Sequence, residues 1–258
     1  PLARDRHPVR AIQEIEPAKG WCKRKFQACA AAFRFGCRAG NGHGMSRFTI
    51  LLGGEVFRTP RLDNQVAGSR VIAADSGIRH AAVLDLVPEL WLGDFDSVPA
   101  DLDARLAGLP RETFPADKDK TDGELAIAAA LDRGAPSLVL AGAFGGPRAD
   151  HAFLHLALAL RLAEAGTEVL LTSGRQEGVP LLPGAADFDY ENGTLFSVLA
   201  FSALSGLSEE GAKWPLDKVE VPFGSSLTLS NEVRGRLSIS LADGRALLLA
   251  HPFPASEF

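Results

Sequence analysis

The residues of this chain best suited to chemistry are aspartates. Gly93-Asp94-Phe95-Asp96-Ser97 follows Leu90–Leu92, a short apolar run that reads as a strand. In extended backbone, side chains two apart face the same way, so Asp94 and Asp96 can converge on one cation. Hard carboxylate oxygens suit Mg²⁺, which takes one or two of them together with water and phosphate. A second cluster, Asp117-Lys118-Asp119-Lys120-Thr121-Asp122, mixes acids and lysines directly before an expected helix start. Helix N-termini favour anions, and lysines neutralise phosphate. Asp75, closing the run Val71–Ala74, adds a carboxylate at a third strand end. An acidic turn or a solvated charged loop would use the same letters. Three acidic clusters along one sheet edge favour a metal–polyphosphate site instead.

Gly142-Ala143-Phe144-Gly145-Gly146-Pro147-Arg148-Ala149-Asp150-His151 is a glycine loop at a strand–helix junction. Backbone N–H groups at Gly145 and Gly146 can approach phosphate there, and Arg148 can clamp it bidentately. The plainer alternative is a tight turn with Asp150 as the helix N-cap. His151 and His155, four apart on one helix face, are a possible metal pair, but an apolar helix favours packed or capping histidines. Neither G-x-x-x-x-G-K-[ST] nor G-x-G-x-x-G occurs, so ordinary P-loop and dinucleotide readings fail. Further on, Lys213-Trp214-Pro215 reads as a loop and Ser230-Asn231-Glu232 as a strand end. Trp214 could stack on a planar or cationic ring, or pack between domains.

These side chains need elements to position them. Phe48–Leu52, Val71–Ala74, Leu90–Leu92, Ser137–Leu140 and Glu168–Thr172 read as buried strands. Between them, Ile78–Leu86, the stretch from Thr121 to about Arg133, and His151–Ala165 have helical character, and Thr121 with Glu124 forms a capping box. Such alternation predicts a parallel sheet with helices on its faces and ligands at the carboxyl ends of the strands. After Ser173 the pattern changes to short alternating segments, Leu195–Phe201, Ser226–Leu229, Arg236–Leu241 and Arg245–Ala250. The expectation is an α/β domain over 45–172, followed by a small antiparallel β-sandwich over 173–258.

Composition sets the bounds. The chain has 258 residues, 46% apolar and 23% charged, with 27 Lys+Arg against 32 Asp+Glu. This balance excludes a generally basic nucleic-acid binder and a disordered chain. No apolar run approaches the roughly 18 residues of a membrane helix. The average conceals a split. Residues 1–44 carry nine basic and three acidic groups, and all three cysteines; the rest carries 18 basic and 29 acidic groups. The first stretch reads as a basic extension, disordered or not native, and Met45 as the start of the functional part. A cysteine-free part fits a reducing cytoplasm.

As an ordered set, these motifs resemble the thiamine pyrophosphokinases. The resemblance runs from about Leu51 to the C-terminus. It rests on Ala74-Asp75-Ser76-Gly77, Gly93–Ser97, Asp117–Asp122, Gly145–His151, Gly211-Ala212-Lys213-Trp214-Pro215-Leu216 and Ser230-Asn231-Glu232. It implies a homodimer whose active sites lie between the α/β domain of one subunit and the β domain of the other. It also implies transfer of the pyrophosphoryl group of ATP to the thiamine hydroxyl, with Mg²⁺ as cofactor and AMP as by-product. On that resemblance Asp75, Asp94, Asp96 and Asp122 hold or orient Mg²⁺ and the phosphates. Asp117, Lys118, Asp119, Lys120 and Thr121 lie alongside, and Gly145, Gly146, Arg148, Asp150 and His151 line the nucleotide end. Trp214 stacks on thiamine, and Ser230 and Asn231 bond its pyrimidine. Ser76, where the family usually has Gly, and Pro147, inserted before Arg148, depart from the pattern. A pyrophosphokinase for another heterocyclic alcohol, such as a hydroxymethylpterin, and a non-catalytic nucleotide or thiamine sensor are the alternatives.

Overall fold

The computed structural model describes residues 47–95, 103–115 and 119–252. Asp96, Asp117, Lys118 and the extension 1–44 lie outside the described residues. The chain enters as strand β1 (Phe48–Leu51), followed by helix α1 (Pro60–Val66) and strand β2 (Arg70–Ala74). Thr59 starts α1 by accepting the Leu62 N–H, and Pro60 at the first helical position supplies a φ already suited to the helix. A 3₁₀ turn, Asp75–Ile78, leads into the short helix α2 (Arg79–Val83). Strands β3 (Leu90–Gly93) and β4 (Arg111–Thr113) follow, then helix α3 (Asp122–Asp132), strand β5 (Ser137–Ala141), helix α4 (Ala149–Glu164) and strand β6 (Glu168–Thr172).

These six strands pair in parallel in the order β4-β3-β2-β1-β5-β6. Alternation along the strands divides the core into two. Phe48, Ile50, Ile72, Leu92, Leu138 and Leu140 pack with Ala126 and Ile127 of α3 and Leu158 and Leu162 of α4. Leu51, Val71, Ala73, Trp91 and Val139 pack with Leu62 and Val66 of α1 and Ala81 of α2. Both faces are buried, which is why the strands read as unbroken apolar runs rather than alternating ones. The chain moves from β1 to β2 on one side and reaches β5 on the other. The order in which strands are added therefore reverses between β1 and β5, where open α/β sheets form a crevice.

The antiparallel part consists of β7 (Glu177–Leu181), β8 (Gly184–Phe188), β9 (Leu195–Ala200), β10 (Leu204–Ala212), β11 (Leu216–Val221), β12 (Asn231–Leu241) and β13 (Ala246–His251). Its β7 pairs directly with β6, so strand pairing continues from the parallel into the antiparallel half. The first two residues of β12 pair with β9, and its remainder pairs with β8 and β10. One apolar cluster joins Leu170 and Phe196 on one side to Leu207, Leu237 and Ile239 on the other.

Several expectations are corrected here. Residues 226–229 form turns, not a strand: the Thr228 carbonyl accepts the Val198 N–H of β9, and the Thr228 hydroxyl donates to the Val198 carbonyl, in place of a backbone ladder. Asn231 and Glu232 open β12, with Ser230 just before it, instead of ending a strand. The helical stretch at Ile78–Leu86 is a 3₁₀ turn and one short helix ending at Val83. Helix α4 begins at Ala149 with Arg148 in the N-cap position, so Asp150 lies in its first turn and is not the cap.

Candidate active site

The cleft at the reversal point is built largely from backbone. Leu52 N–H donates to Ala141 C=O (2.7 Å), Gly54 N–H to Gly142 C=O (3.0 Å) and Glu55 N–H to Phe144 C=O (2.8 Å). These bonds zip the loop after β1 to the loop after β5. The approach leaves no room for side chains: a Cβ on Gly54 would lie 2.3 Å from Phe144 O, and one on Gly142 would lie 2.4 Å from Leu52 O. Gly142 also has φ +82°, a conformation that costs glycine little. The cleft above is lined by Gly53, Asp75, Ser76, Thr121, Asp122, Gly145, Arg148, His151 and His155, among others.

The loop is also held from behind. The Arg79 guanidinium donates to the carbonyls of Gly53 and Gly54, and His80 Nε2 bonds the Gly54 carbonyl at 2.9 Å. Burial, aided by the neighbouring Arg79 charge, pushes the His80 pKa down to about 4, so the ring is neutral and its Nε2–H donates. His155 behaves similarly. It is buried, bonds Ala143 C=O through Nδ1 (3.1 Å), and burial lowers its pKa. That is the packed role an apolar helix implies.

The expected aspartates come from three elements; Asp75 and Asp122 line the cleft, and Asp94 does not. Asp75 follows β2 with φ +43°, and its carbonyl accepts the Trp91 indole N–H at 2.9 Å. Gly93 lies directly against Asp75: a Cβ there would be 3.2 Å from both the Cα and Cβ of Asp75. Asp94 therefore leaves β3 beside Asp75, and Phe95, at φ +60°, turns its ring edge-on to Trp91, 4.9 Å away. Asp122 opens α3 behind the capping box, where Glu124 N–H donates to Thr121 Oγ1 (3.2 Å) and Thr121 N–H to Glu124 Oε2 (3.1 Å). Thr121 lines the cleft with its hydroxyl engaged in that cap. Asp119 is exposed and Lys120 half-buried just before it, neither among the lining residues.

The basic edge is Arg148 with His151. Arg148 grips Asp150 through two bonds, 2.9 and 2.6 Å, and this pairing holds the Asp150 carboxyl well below the usual range. Both side chains are largely exposed, so the pair orients the guanidinium more than it stabilises the fold. Gly145 (φ +67°) and Gly146 (φ +82°) make the turn that precedes them. Among the described residues no three His, Cys, Asp or Glu side chains form a group able to hold a metal unaided. Carboxylates on one edge and a guanidinium with a histidine on the other suit a polyphosphate that brings its own oxygens to a cation.

The antiparallel half carries a second feature. Trp214, between β10 and β11, is 56% exposed, with Lys213 Nζ 4.6 Å from its ring centre. Its backbone is pinned by the Asn231 carboxamide: Trp214 N–H donates to Oδ1 (3.1 Å) and Nδ2 donates to Trp214 C=O (2.9 Å). Asn231 also accepts the Glu232 N–H and donates to Glu209, so all four of its bonding positions are used within the chain. Ser230 precedes it at φ +59°, its N–H held by Ser197 Oγ. None of these residues lines the cleft of the same chain. Arg79, His80, Trp91 and Glu209 escape sequence reasoning because each acts through a contact distant in sequence; only Gly53-Gly54 hinted at the first two.

The chain is similar to known proteins over most of its length. The pattern of the thiamin pyrophosphokinase catalytic domain matches residues 65–171, and that of the thiamin pyrophosphokinase vitamin B1 binding domain matches 187–245. The thiamine pyrophosphokinase of Bacillus subtilis (strain 168) is 28% identical over 211 residues, spanning 80% of this chain and 98% of the relative. The crystal structure of thiamine pyrophosphokinase from Bacillus subtilis superposes with a TM-score of 0.70 at 25% identity, covering 80% of this chain and 98% of that one. That of thiamin pyrophosphokinase from Geobacillus thermodenitrificans gives 0.65 at 26%, covering 80% and 97%. Two domain patterns of one family in order, over more than half of the chain and on a matching fold, mean that this chain belongs to the thiamine pyrophosphokinase family.

Proposed function

We propose that the protein transfers the pyrophosphoryl group of ATP to the hydroxyl of thiamine, giving thiamine diphosphate and AMP. The observation that carries this reading is the cleft between β1 and β5, with aspartates on one edge and Arg148 and His151 on the other. The thiamine hydroxyl oxygen attacks the β-phosphorus of ATP. The bond from that phosphorus to the α–β bridging oxygen breaks, and AMP leaves with the oxygen. Asp96 is the base assigned to take the hydroxyl proton, with Asp122 as its rival. Charge builds on phosphate oxygens, so the protein's work is positioning and electrostatic stabilisation. Arg148 and His151 would face the nucleotide phosphates, and Gly145 and Gly146 allow the backbone to approach them. Asp117, Lys118, Asp119 and Lys120 would flank the same end.

The donor set fits Mg²⁺, because Asp75 and Asp122 share the cleft and Mg²⁺ needs only one or two carboxylates besides phosphate. Asp75, Asp94, Asp96 and Asp122 would hold it, and it would supply neutralisation of the phosphate charge. At the other end Trp214 would stack on thiamine and Ser230 would bond its pyrimidine. Asn231, expected to bond the pyrimidine too, has its four bonding positions used within the chain and would contribute from beneath by holding the tryptophan loop.

The change in strand pairing after β6 supports a division of labour, with 45–172 as the nucleotide part and 173–258, proposed as a β-sandwich, as the thiamine part. Trp214 is absent from the lining of its own chain's cleft. This supports a homodimer in which each site joins the cleft of one subunit to the Trp214 loop of the other. Among the described residues no helix is long and apolar enough to cross a membrane. A cytoplasmic location goes with this reading, supported by the lack of cysteine after residue 44. Incubation with ATP, Mg²⁺ and thiamine, with assay of AMP and thiamine diphosphate, tests the reading. AMP with a hydroxymethylpterin but not with thiamine would overturn it, as would thiamine binding without turnover.

A further inference from the structure

Glu209 is out of place by every ordinary rule of burial. It sits on β10 with none of its surface exposed, and its Oε1 has no hydrogen-bond partner. Its cross-strand neighbours are Leu216 on β11 and Ile239 on β12, both apolar. A carboxyl in such surroundings is costly, and an apolar residue of similar size would be cheaper. Its single polar contact is the Asn231 Nδ2–H, donated to Oε2 at 2.8 Å.

That contact has a direction. A carboxamide can be turned over, exchanging its N–H₂ and C=O ends with little change in shape. In this chain the orientation matters, because Asn231 must present Oδ1 to the Trp214 N–H and Nδ2 to the Trp214 C=O. Glu209 sets an acceptor oxygen, Oε2, against this end of the carboxamide and so favours the orientation with Nδ2 toward it. The strand is shaped for this. Register shifts lie on either side of Glu209, between Leu207 and Glu209 against β11 and between Glu210 and Ala212 against β12. Bulges re-aim side chains. The second one contains Gly211 at φ +70°, packed so closely on the Arg236 carbonyl that no Cβ would fit.

We infer that Glu209 is a positioning residue: by fixing the orientation of the Asn231 carboxamide, it holds the Trp214 loop in the geometry that receives thiamine. The thiamine part of this inference rests on the function proposed above. It assigns Glu209 no contact with substrate.

Two readouts in the full-length protein test it. The first is hydrogen exchange at the Trp214 backbone amide, which does not depend on catalysis. The second is the KM for thiamine against the KM for ATP. Glu209→Ala is expected to speed Trp214 exchange at least tenfold and to raise the thiamine KM at least tenfold, with the ATP KM within twofold of wild type. Glu209→Gln, which retains a carbonyl acceptor, is expected to stay within threefold on every measure. Unchanged Trp214 exchange in Glu209→Ala would overturn the inference, as would thiamine and ATP KM rising together. If the alanine variant does not fold, Glu209→Met fills the space without accepting and takes its place. If wild-type protein makes no AMP from ATP and thiamine, the proposed function falls, and the exchange measurement still decides whether Glu209 holds the loop.

Discussion

Single atoms decide what the cleft and the tryptophan loop do. Asp94→Asn keeps the size of the side chain and removes its charge beside Asp75. Turnover is expected to fall by about 10²–10³-fold, the scale of losing one electrostatic contact in a reacting site. The melting temperature should stay near that of wild type, and turnover at the wild-type rate would remove Asp94 from the phosphate end. Trp214→Ala deletes a largely exposed ring. It is expected to raise the thiamine KM about tenfold, the scale of one cation–π contact, with little change for ATP. Equal losses for both substrates would make Trp214 a packing residue. At Glu209 burial outweighs the Asn231 bond and pushes the pKa from its ordinary 4.5 up to about 7. Between those values the folded protein binds more protons than the unfolded chain, so this group's contribution to stability falls as pH rises from 4.5 to 7. Glu209→Gln cannot ionise. Urea unfolding should find it more stable than wild type at pH 8, by about 3 kcal/mol, and nearly equal at pH 4.5. The positions of Asp75 after β2, Asp122 at the start of α3 and Trp214 in a loop were legible in sequence, because flanking glycines and the capping box mark strand ends, turns and helix starts. Glu209 was not, because its meaning depends on two bulges that no local pattern announces.

At the level of elements, the strongest constraint is the backbone zipper between the loops after β1 and β5. Gly142→Ala would place a methyl 2.4 Å from the Leu52 carbonyl and force φ +82° on a residue with a Cβ. A loss of about 2 kcal/mol or more is expected, from strain together with the displaced loop. Gly134→Ala is the control: φ is +79° there too, but nothing lies within 4 Å of the added carbon. Its cost should be the smaller of the two by thermal melting, and equal costs would show that φ alone matters. The strands of the parallel sheet were legible because burial on both faces makes them unbroken apolar runs. The antiparallel half was read less well. The segment 226–229 has strand-like composition, but it lies against the edge of β9 as turns, with Thr228 rather than a ladder making the bonds. Strand β10 was missed because glycines and glutamates interrupt its alternation, and its partners lie on both sides.

Across the whole molecule, the proposed dimer makes a quantitative claim. A subunit carrying Asp94→Asn still offers a sound Trp214 loop, and one carrying Trp214→Ala still offers a sound cleft. Co-refolding the two in equal amounts should give heterodimers with one intact site each. At low thiamine, activity near a quarter of wild type is expected, well above either variant alone. No recovery, with heterodimers confirmed by mass, would place cleft and loop in the same chain. The parallel-to-antiparallel change was visible in sequence as a change of period. The continuity of strand pairing through β6 and β7 was not, because it depends on a turn whose residues resemble any other loop.

The zipper under the cleft bears on how the protein could be inhibited. A molecule seated on that floor meets peptide groups of Gly53, Gly54 and Gly142 before it meets side chains. Point mutations change side chains, and at Gly54 and Gly142 any new one collides with the neighbouring loop. Escape from such an inhibitor is therefore closed at Gly54 and Gly142 and pushed toward side chains of the rim, such as Asp122 or Arg148, where substitution would also disturb the groups proposed to face the phosphates.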